Sequence, residues 1–356
     1  MEKRNIIVIG ASAGGFEAIQ QLIAQLPPDL DAALFIVWHM APTVRGIMPQ
    51  VLSKLTSIPV AHAVEHEPIQ MNRIYIAPPD HHLLLEEDHM RVTHGPKENH
   101  FRPAIDPLFR SAAYTYGSRV IGVILSGALD DGTAGLWTIK AYGGMALVQD
   151  PQEALVAAMP ESAIRQVAID AIAPIAQLAP LLVQLVGQVV PPKPSIVMTE
   201  DDKTKTEIAI AAEDTALGLT MAQFGPFSAY ACPDCHGVLV KITEGSIVRY
   251  RCHTGHAYSA DALLASVTGK IEESLYSALR GMDERMMMLN QLGDQFAAAN
   301  QPRQAALYFQ LAQADQQVSE LLRQAARVHP TLNPERVDDQ RPESDGVEPV
   351  PFIITA

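Results

Sequence analysis

The chain is 356 residues long, 48% hydrophobic and 19% charged, with a formal net charge of −14. That is enough sequence for more than one packed domain, and the acidic balance excludes a surface built for nucleic acid or anionic lipid. Only four apolar residues, 6–9, precede the first glycine, too few for the hydrophobic region of a signal peptide, so the expected location is the cytoplasm.

In chain order, Ile6-Ile7-Val8-Ile9 reads as a short buried strand. It runs into the turn Gly10-Ala11-Ser12-Ala13-Gly14-Gly15, then a helix with Ile19, Leu22, Ile23 and Leu26 at helical spacing, stopped by Pro27-Pro28. Residues 32–38 form a second buried-type strand ending at His39, 44–55 a helix, 59–64 a short strand, and 73–77 another strand closed by Pro78-Pro79-Asp80. A hairpin is expected at 82–86 and 90–93, a helix at 106–116, and an uninterrupted apolar strand at 120–125 that enters Ser126-Gly127-Ala128-Leu129-Asp130-Asp131-Gly132. A helix at 133–141 and a strand at 145–148 complete the alternation, which predicts an α/β fold: a doubly wound, mostly parallel sheet covered on both faces. Residues 171–190 are apolar, but Pro174, Pro180 and three glutamines mark a docked amphipathic helix and not a membrane span.

A first domain at 1–190 is therefore expected, followed by a proline- and charge-rich linker at 191–225. A small cysteine module occupies 226–260. Residues 261–328 carry Leu263, Val267, Ile271, Leu275, Leu279, Met282, Met286, Leu289, Leu292 and Phe296, then Leu307, Leu311, Ala314, Val318, Leu321 and Ala325, at spacings of three and four about a break at Asn300-Gln301-Pro302. That pattern predicts an antiparallel helical hairpin, with the stripe of Met282, Met286, Met287 and Met288 in a core or a homodimer contact rather than an adaptable groove. The tail, 329–356, is rich in proline and acid and is expected to be disordered.

The glycine turn admits two chemistries. Glycines before a helix N-terminus cradle phosphates, and a serine on such a turn serves as a nucleophile with free backbone N–H groups to hold an oxyanion. A dinucleotide site is disfavoured, because there is no G-x-G-x-x-G and no acid after the strand ending at Trp38. A nucleophilic serine needs a base, and an imidazole base needs a carboxylate. Ser12, His39 and the 126–132 loop all fall at the carboxyl ends of predicted strands, where ligands bind in open parallel sheets. Asp130 and Asp131 both lie in that loop.

The segments Gly10-Ala11-Ser12-Ala13-Gly14-Gly15, Trp38-His39-Met40, Arg102-Pro103 with Asp106-Pro107-Leu108-Phe109, and Leu125 to Gly132 resemble, in order, the catalytic domain of the chemotaxis protein-glutamate methylesterases over roughly residues 4–190. The resemblance implies a serine hydrolase that removes methyl groups from glutamate esters on receptor cytoplasmic helices, in some members also deamidating glutamines, with no cofactor for catalysis. It implies Ser12 as nucleophile, His39 as base and Asp131, the aspartate directly before glycine, as orienting acid. Ala13 and Ala128-Leu129 depart from the family's common residues near the oxyanion site, and a stand-alone type without the family's receiver domain is expected. Arg102 has two readings, a contact to an acidic receptor surface or a pair with a local acid. The competing expectation is a signalling adaptor that binds a methyltransferase or a receptor with little turnover.

The cysteines are all within 232–252, an odd and clustered set that points to a metal in a reducing compartment. Cys232-Pro233-Asp234-Cys235 and Cys252-His253-Thr254-Gly255-His256 supply C-x₂-C and C-x₃-H knuckles suited to tetrahedral structural zinc. His236 and His253 are alternatives to His256, and reduced cysteines in a small core are the alternative to a metal. Similar modules occur in stand-alone methylesterase-like proteins, and strands are expected at 238–242 and 246–251 between the knuckles.

Overall fold

The structure is a computed structural model and describes residues 2–40, 47–192, 194, 198–213 and 224–329. The first part runs β1 (Ile6–Ala11), α1 (Gly15–Ala24), β2 (Ala33–Trp38), α2 (Met48–Leu52), β3 (Val60–His62), β4 (Arg73–Ile76), β5 (His82–Leu85), β6 (Met90–Thr93), α3 (Ile105–Tyr116), β7 (Val120–Ile124), α4 (Thr133–Ala141), β8 (Met145–Gln149), α5 (Ala158–Gln166), β9 (Ala171–Ala173) and α6 (Ile175–Leu185). Seven strands form one sheet in the order β3-β4-β2-β1-β7-β8-β9, and every pairing in it is parallel. The predicted doubly wound sheet is therefore present. The hairpin β5–β6 lies apart as a two-stranded antiparallel unit.

Continuous apolar strands are what a sheet buried on both faces requires. Alternate residues of β1 serve opposite layers: Ile6 and Val8 pack with Ile105, Leu108, Phe109, Leu136 and Ile139 on the α3–α4 side, while Ile7 and Ile9 pack with Ile19, Leu22, Leu178 and Leu182 on the α1–α6 side. At Gly10 helix α3 comes too close to β1 for a side chain, since a Cβ there would collide with Ile105 Cγ2. That close approach sets the first turn of α3 against the end of β1.

The helix expected at 44–55 is observed as α2, with residues 41–46 outside the described set. The stretch read as a linker holds a helix, α7 (Met198–Ala211), while 214–223 lie outside the described residues. Its residues 204, 207 and 211 are buried, and Glu207 meets arginines from two other regions, Arg110 and the pair Arg249 and Arg251. A proline- and charge-rich composition does not register such pairing.

The cysteine module is a four-stranded antiparallel sheet of β10 (Phe227–Ala231), β11 (Val238–Glu244), β12 (Ile247–Cys252) and β13 (Ala257–Ser259). Ser259 then caps α8 (Ala260–Ala298), its hydroxyl accepting from Ala262 N–H at 3.0 Å. After the predicted break, α9 (Pro302–Val328) returns antiparallel, with Phe296 stacked on Tyr308 and Asp283 paired with Arg323. By that register α9 ends short of the first turns of α8, so Val267 and Ile271 of the predicted stripe are exposed whereas Leu279 and Leu289 are buried. Met287 and Met288 are exposed too, so of the two places expected for the methionine stripe, a core or a homodimer contact, these two do not lie in this chain's own core. No helix among the described residues is long and apolar enough to cross a membrane. The predicted tail, apart from His329, lies outside the described residues.

Candidate active site

Three adjacent parallel strands, β2, β1 and β7, deliver the candidate residues. Ser12 follows β1, His39 follows β2, and Asp131 sits in the loop between β7 and α4. The chain leaves β1 for the β2 side of the sheet and returns to the other side through β7, so these loops open at the topological switch point. His39 Nδ1 lies 3.1 Å from Ser12 Oγ, and His39 Nε2 lies 2.8 Å from Asp131 Oδ2. The imidazole tautomer that serves both contacts carries its proton on Nε2, donated to Asp131, and keeps the Nδ1 lone pair for the serine hydroxyl. The familiar triad assigns the two ring nitrogens the other way round. Phe101 stacks flat on the imidazole, centroids 3.6 Å apart and planes 7° from parallel, which fixes the ring orientation.

Asp131 is buried and richly supplied with donors. Oδ2 also accepts from the Ile105 N–H at 2.6 Å, and Oδ1 accepts from the Asn99 amide at 2.9 Å. The first turn of α3 therefore points at a carboxylate, the favourable charge for a helix N-terminus. Burial opposes ionisation of Asp131, but the His39 contact, the Ile105 N–H and the Asn99 amide together hold its carboxyl below the usual range. Asp106, next to it, moves the other way: burial and then the charge of Asp131 raise it well above the usual value. The two neighbouring carboxyls are thus pushed in opposite directions.

Asp130 does not face His39. It accepts from the Ser259 hydroxyl at 2.5 Å, and burial raises it to about 7. The geometry thus separates the two neighbouring aspartates and brings Asp131 to the histidine.

The turn around Ser12 is braced from three sides. Ser12 N–H donates to Ser126 O at 3.0 Å, Trp38 Nε1 donates to Ser12 O at 3.0 Å, and Ser126 Oγ donates to Ala13 O at 2.7 Å. Gly14 takes the left-handed conformation, φ 68°, that starts α1. The serine opens onto a cleft of about 700 Å³ lined among others by Ala13, Gly14, Phe16, Trp38, Lys97, Phe101 and Arg102. Arg102 pairs with a local acid, Asp80, at 2.9 Å, while lining that cleft. Sequence reasoning passed over Asn99 and Phe101; their neighbours in the chain give no sign that they meet Asp131 and His39.

The cysteine module gathers Cys232, Cys235, Cys252 and His256, whose ligand atoms lie within 4.8 Å of one another. Cys235 and Cys252 Sγ are 3.6 Å apart, and His256 Nδ1 is 3.7 Å from Cys232 Sγ and 3.6 Å from Cys252 Sγ. Ligands about 2.3 Å (sulfur) and 2.0 Å (nitrogen) from one tetrahedral ion would stand roughly 3.5–3.8 Å apart, so the set fits a metal of that kind. His256 completes the cluster; His236 and His253 do not belong to it. The Cys232 thiol draws the Cys252 thiol down to about 7, toward the thiolate form a metal requires.

Residues 7–182 match the family model described as CheB methylesterase. A Leptospira interrogans protein (strain Fiocruz L1-130) named in the protein-glutamate methylesterase/protein-glutamine glutaminase group is 41% identical over 180 residues, covering 50% of this chain and 93% of that protein. Protein-glutamate methylesterase/protein-glutamine glutaminase 2 of Methanosarcina acetivorans is 34% identical over 192 residues, 52% of this chain and 54% of that one. The crystal structure of the Thermotoga maritima CheB methylesterase catalytic domain superposes with a TM-score of 0.51 at 32% identity, covering 52% of this chain and all of that domain.

Proposed function

Since this chain belongs to the CheB methylesterase family, we propose that it hydrolyses γ-methyl esters of glutamate side chains on receptor or other signalling proteins through Ser12, His39 and Asp131. The observation that carries the reading is the unbroken hydrogen-bond relay from Ser12 Oγ through His39 to Asp131 at the mouth of an open cleft. His39 Nδ1 takes the hydroxyl proton as Ser12 Oγ attacks the ester carbonyl. The tetrahedral oxyanion is held by the N–H groups of Ala13 and Gly14, which border the cleft at the start of α1. The imidazolium, stabilised by charged Asp131, returns its proton to the leaving oxygen and methanol departs. Water then attacks the Ser12 ester, giving up a proton to His39, and the glutamate carboxylate leaves with the serine restored. A glutamine side chain would follow the same path with ammonia as the leaving group.

The methylated helices of receptors are the proposed substrate surface and the cytoplasm the proposed place of action. Cys232, Cys235, Cys252 and His256 would hold a structural zinc, closing the two knuckles of a module whose own apolar cluster is small. Zinc analysis of the purified chain, with Cys252→Ser as control, should give one equivalent lost in the variant.

The deciding experiment is methanol release from enzymatically methylated receptor fragments. Wild type should release methanol and Ser12→Ala should lose on the order of a thousandfold or more in rate. A fluorophosphonate probe should label Ser12 and fail to label in His39→Ala. No release and no labelling would replace the hydrolase by a binding protein for a methyltransferase or receptor.

A further inference from the structure

We infer that Asn99 is a positioning residue for Asp131, and that the C-terminal sheet holds Asn99 in place, making that sheet part of the catalytic framework. The inference rests on the Ser12–His39–Asp131 reading. Asn99 is buried and sits at φ 49°, a left-handed conformation that asparagine tolerates. Every hydrogen-bonding group of its amide is used. The NH₂ donates to Asp131 Oδ1 at 2.9 Å and to Asp106 Oδ2 at 3.2 Å, and the carbonyl accepts from the Ser259 N–H at 2.7 Å.

The anchoring of Asp131 shows what this achieves. Its Oδ2 is tied by His39 and by the Ile105 N–H, but apart from Asn99 its Oδ1 has only the longer contact from the Asp106 N–H, at 3.4 Å. Without Asn99 the carboxylate is free to swing about its Cβ–Cγ bond, and Oδ2 leaves the imidazole.

Three successive residues link this pair to the C-terminal part. Asn99 reaches the acid, His100 donates from Nε2 to Ala262 O at 2.9 Å, and Phe101 covers the base. Backbone bonds join the same loop to the free edge of β13: Asn99 N–H to Ala257 O at 2.8 Å and Ala257 N–H to Lys97 O at 3.3 Å. The loop that orients both the acid and the base is thus docked on a ribbon strand and on the first turn of α8.

The test measures kcat and KM of the full chain for p-nitrophenyl acetate hydrolysis, with Ser12→Ala as baseline. Asn99→Ala should lower kcat by roughly 10- to 100-fold with KM little changed, as expected when geometry is lost and the cleft is kept. Ser259→Pro tests the mount without touching the loop. Ser259 has φ −66°, which proline reproduces, so the change removes the N–H that Asn99 accepts from. Ser259→Ala loses the same hydroxyl and keeps the N–H. The expected order of kcat is Pro well below Ala, with Pro matching Asn99→Ala.

The inference is overturned if Asn99→Ala or Ser259→Pro retains kcat within about threefold of wild type, or if the two Ser259 variants are equally impaired. It is also overturned if the loss falls on KM alone. Should Ser12→Ala itself hydrolyse at the wild-type rate, the triad reading falls, and this inference with it.

Discussion

Across β1 and β7 the buried side chains are Ile6, Ile7, Val8, Ile9, Val120, Ile121, Val123 and Ile124. Across the contact between the sheet domain and the C-terminal ribbon they are Arg110, Arg249, Arg251, Glu98 and Glu207, as deeply buried as the isoleucines. Glu207 of α7 takes both Arg249 (2.8 Å) and Arg251 (2.7 Å), Arg251 also reaches Glu98 (2.8 Å), and Glu98 pairs with Arg110 (3.2 Å). The first region is stabilised by removing apolar area from water. The second combines charges whose desolvation is offset only when every partner is in place. The sheet should therefore tolerate a trimmed side chain and ignore pH, whereas the seam should respond sharply to loss of one partner and to protonation.

The largest expected effect is at Arg251. Arg251→Met removes one of the two arginines, Arg110 being the other, that bridge buried Glu98 and Glu207. It leaves two carboxylates and the two remaining arginines, Arg110 and Arg249, out of balance, and should cost about 3–5 kcal/mol in urea denaturation. A cost under about 1 kcal/mol would mean that water enters the seam and that it is not equivalent to a core.

Asp130, at the same seam, should behave in the opposite sense. Burial raises its carboxyl from 3.8 to about 7 in the folded chain. A raised acid favours the folded state while protonated, so wild-type stability falls as pH climbs from about 4 to 7 and stays low above that. Asp130→Asn retains an acceptor for the Ser259 hydroxyl and removes this penalty. It should gain about 2–4 kcal/mol at pH 8, with no gain below pH 4, as read by thermal melts across that range. An equal gain at both pH values would assign it to packing and not to charge.

The smallest effect belongs to the sheet. Ile121→Val removes one methylene from a fully packed position and should cost about 1 kcal/mol, the same at pH 5 and pH 8. A clear pH dependence there would dissolve the distinction between the two regions.

Much of the first region was legible before folding. Apolar runs bounded by glycine and proline marked β1, β2, β4 and β7, and the bounds of α4 matched the expected 133–141. Strand ends then placed Ser12 and His39, although choosing Asp131 over Asp130 needed the family resemblance. The cysteine spacing indicated the four members of the metal-type cluster. The seam was not legible: α7 lay in a stretch that composition assigned to a linker, and the arginines and glutamates carry no periodic signal.

What the sequence by itself determined is therefore the parallel sheet, the serine turn and the paired knuckles. Each depends on residues a few positions apart, and local spacing is enough to express strand burial, a tight turn or a chelating loop. Only the tertiary structure decided that Asn99 holds Asp131, that Phe101 covers His39, and that Arg251 closes on Glu98, 153 positions away. A polar side chain is satisfied by any partner of the right geometry, so its identity leaves open which distant residue folding will bring to it.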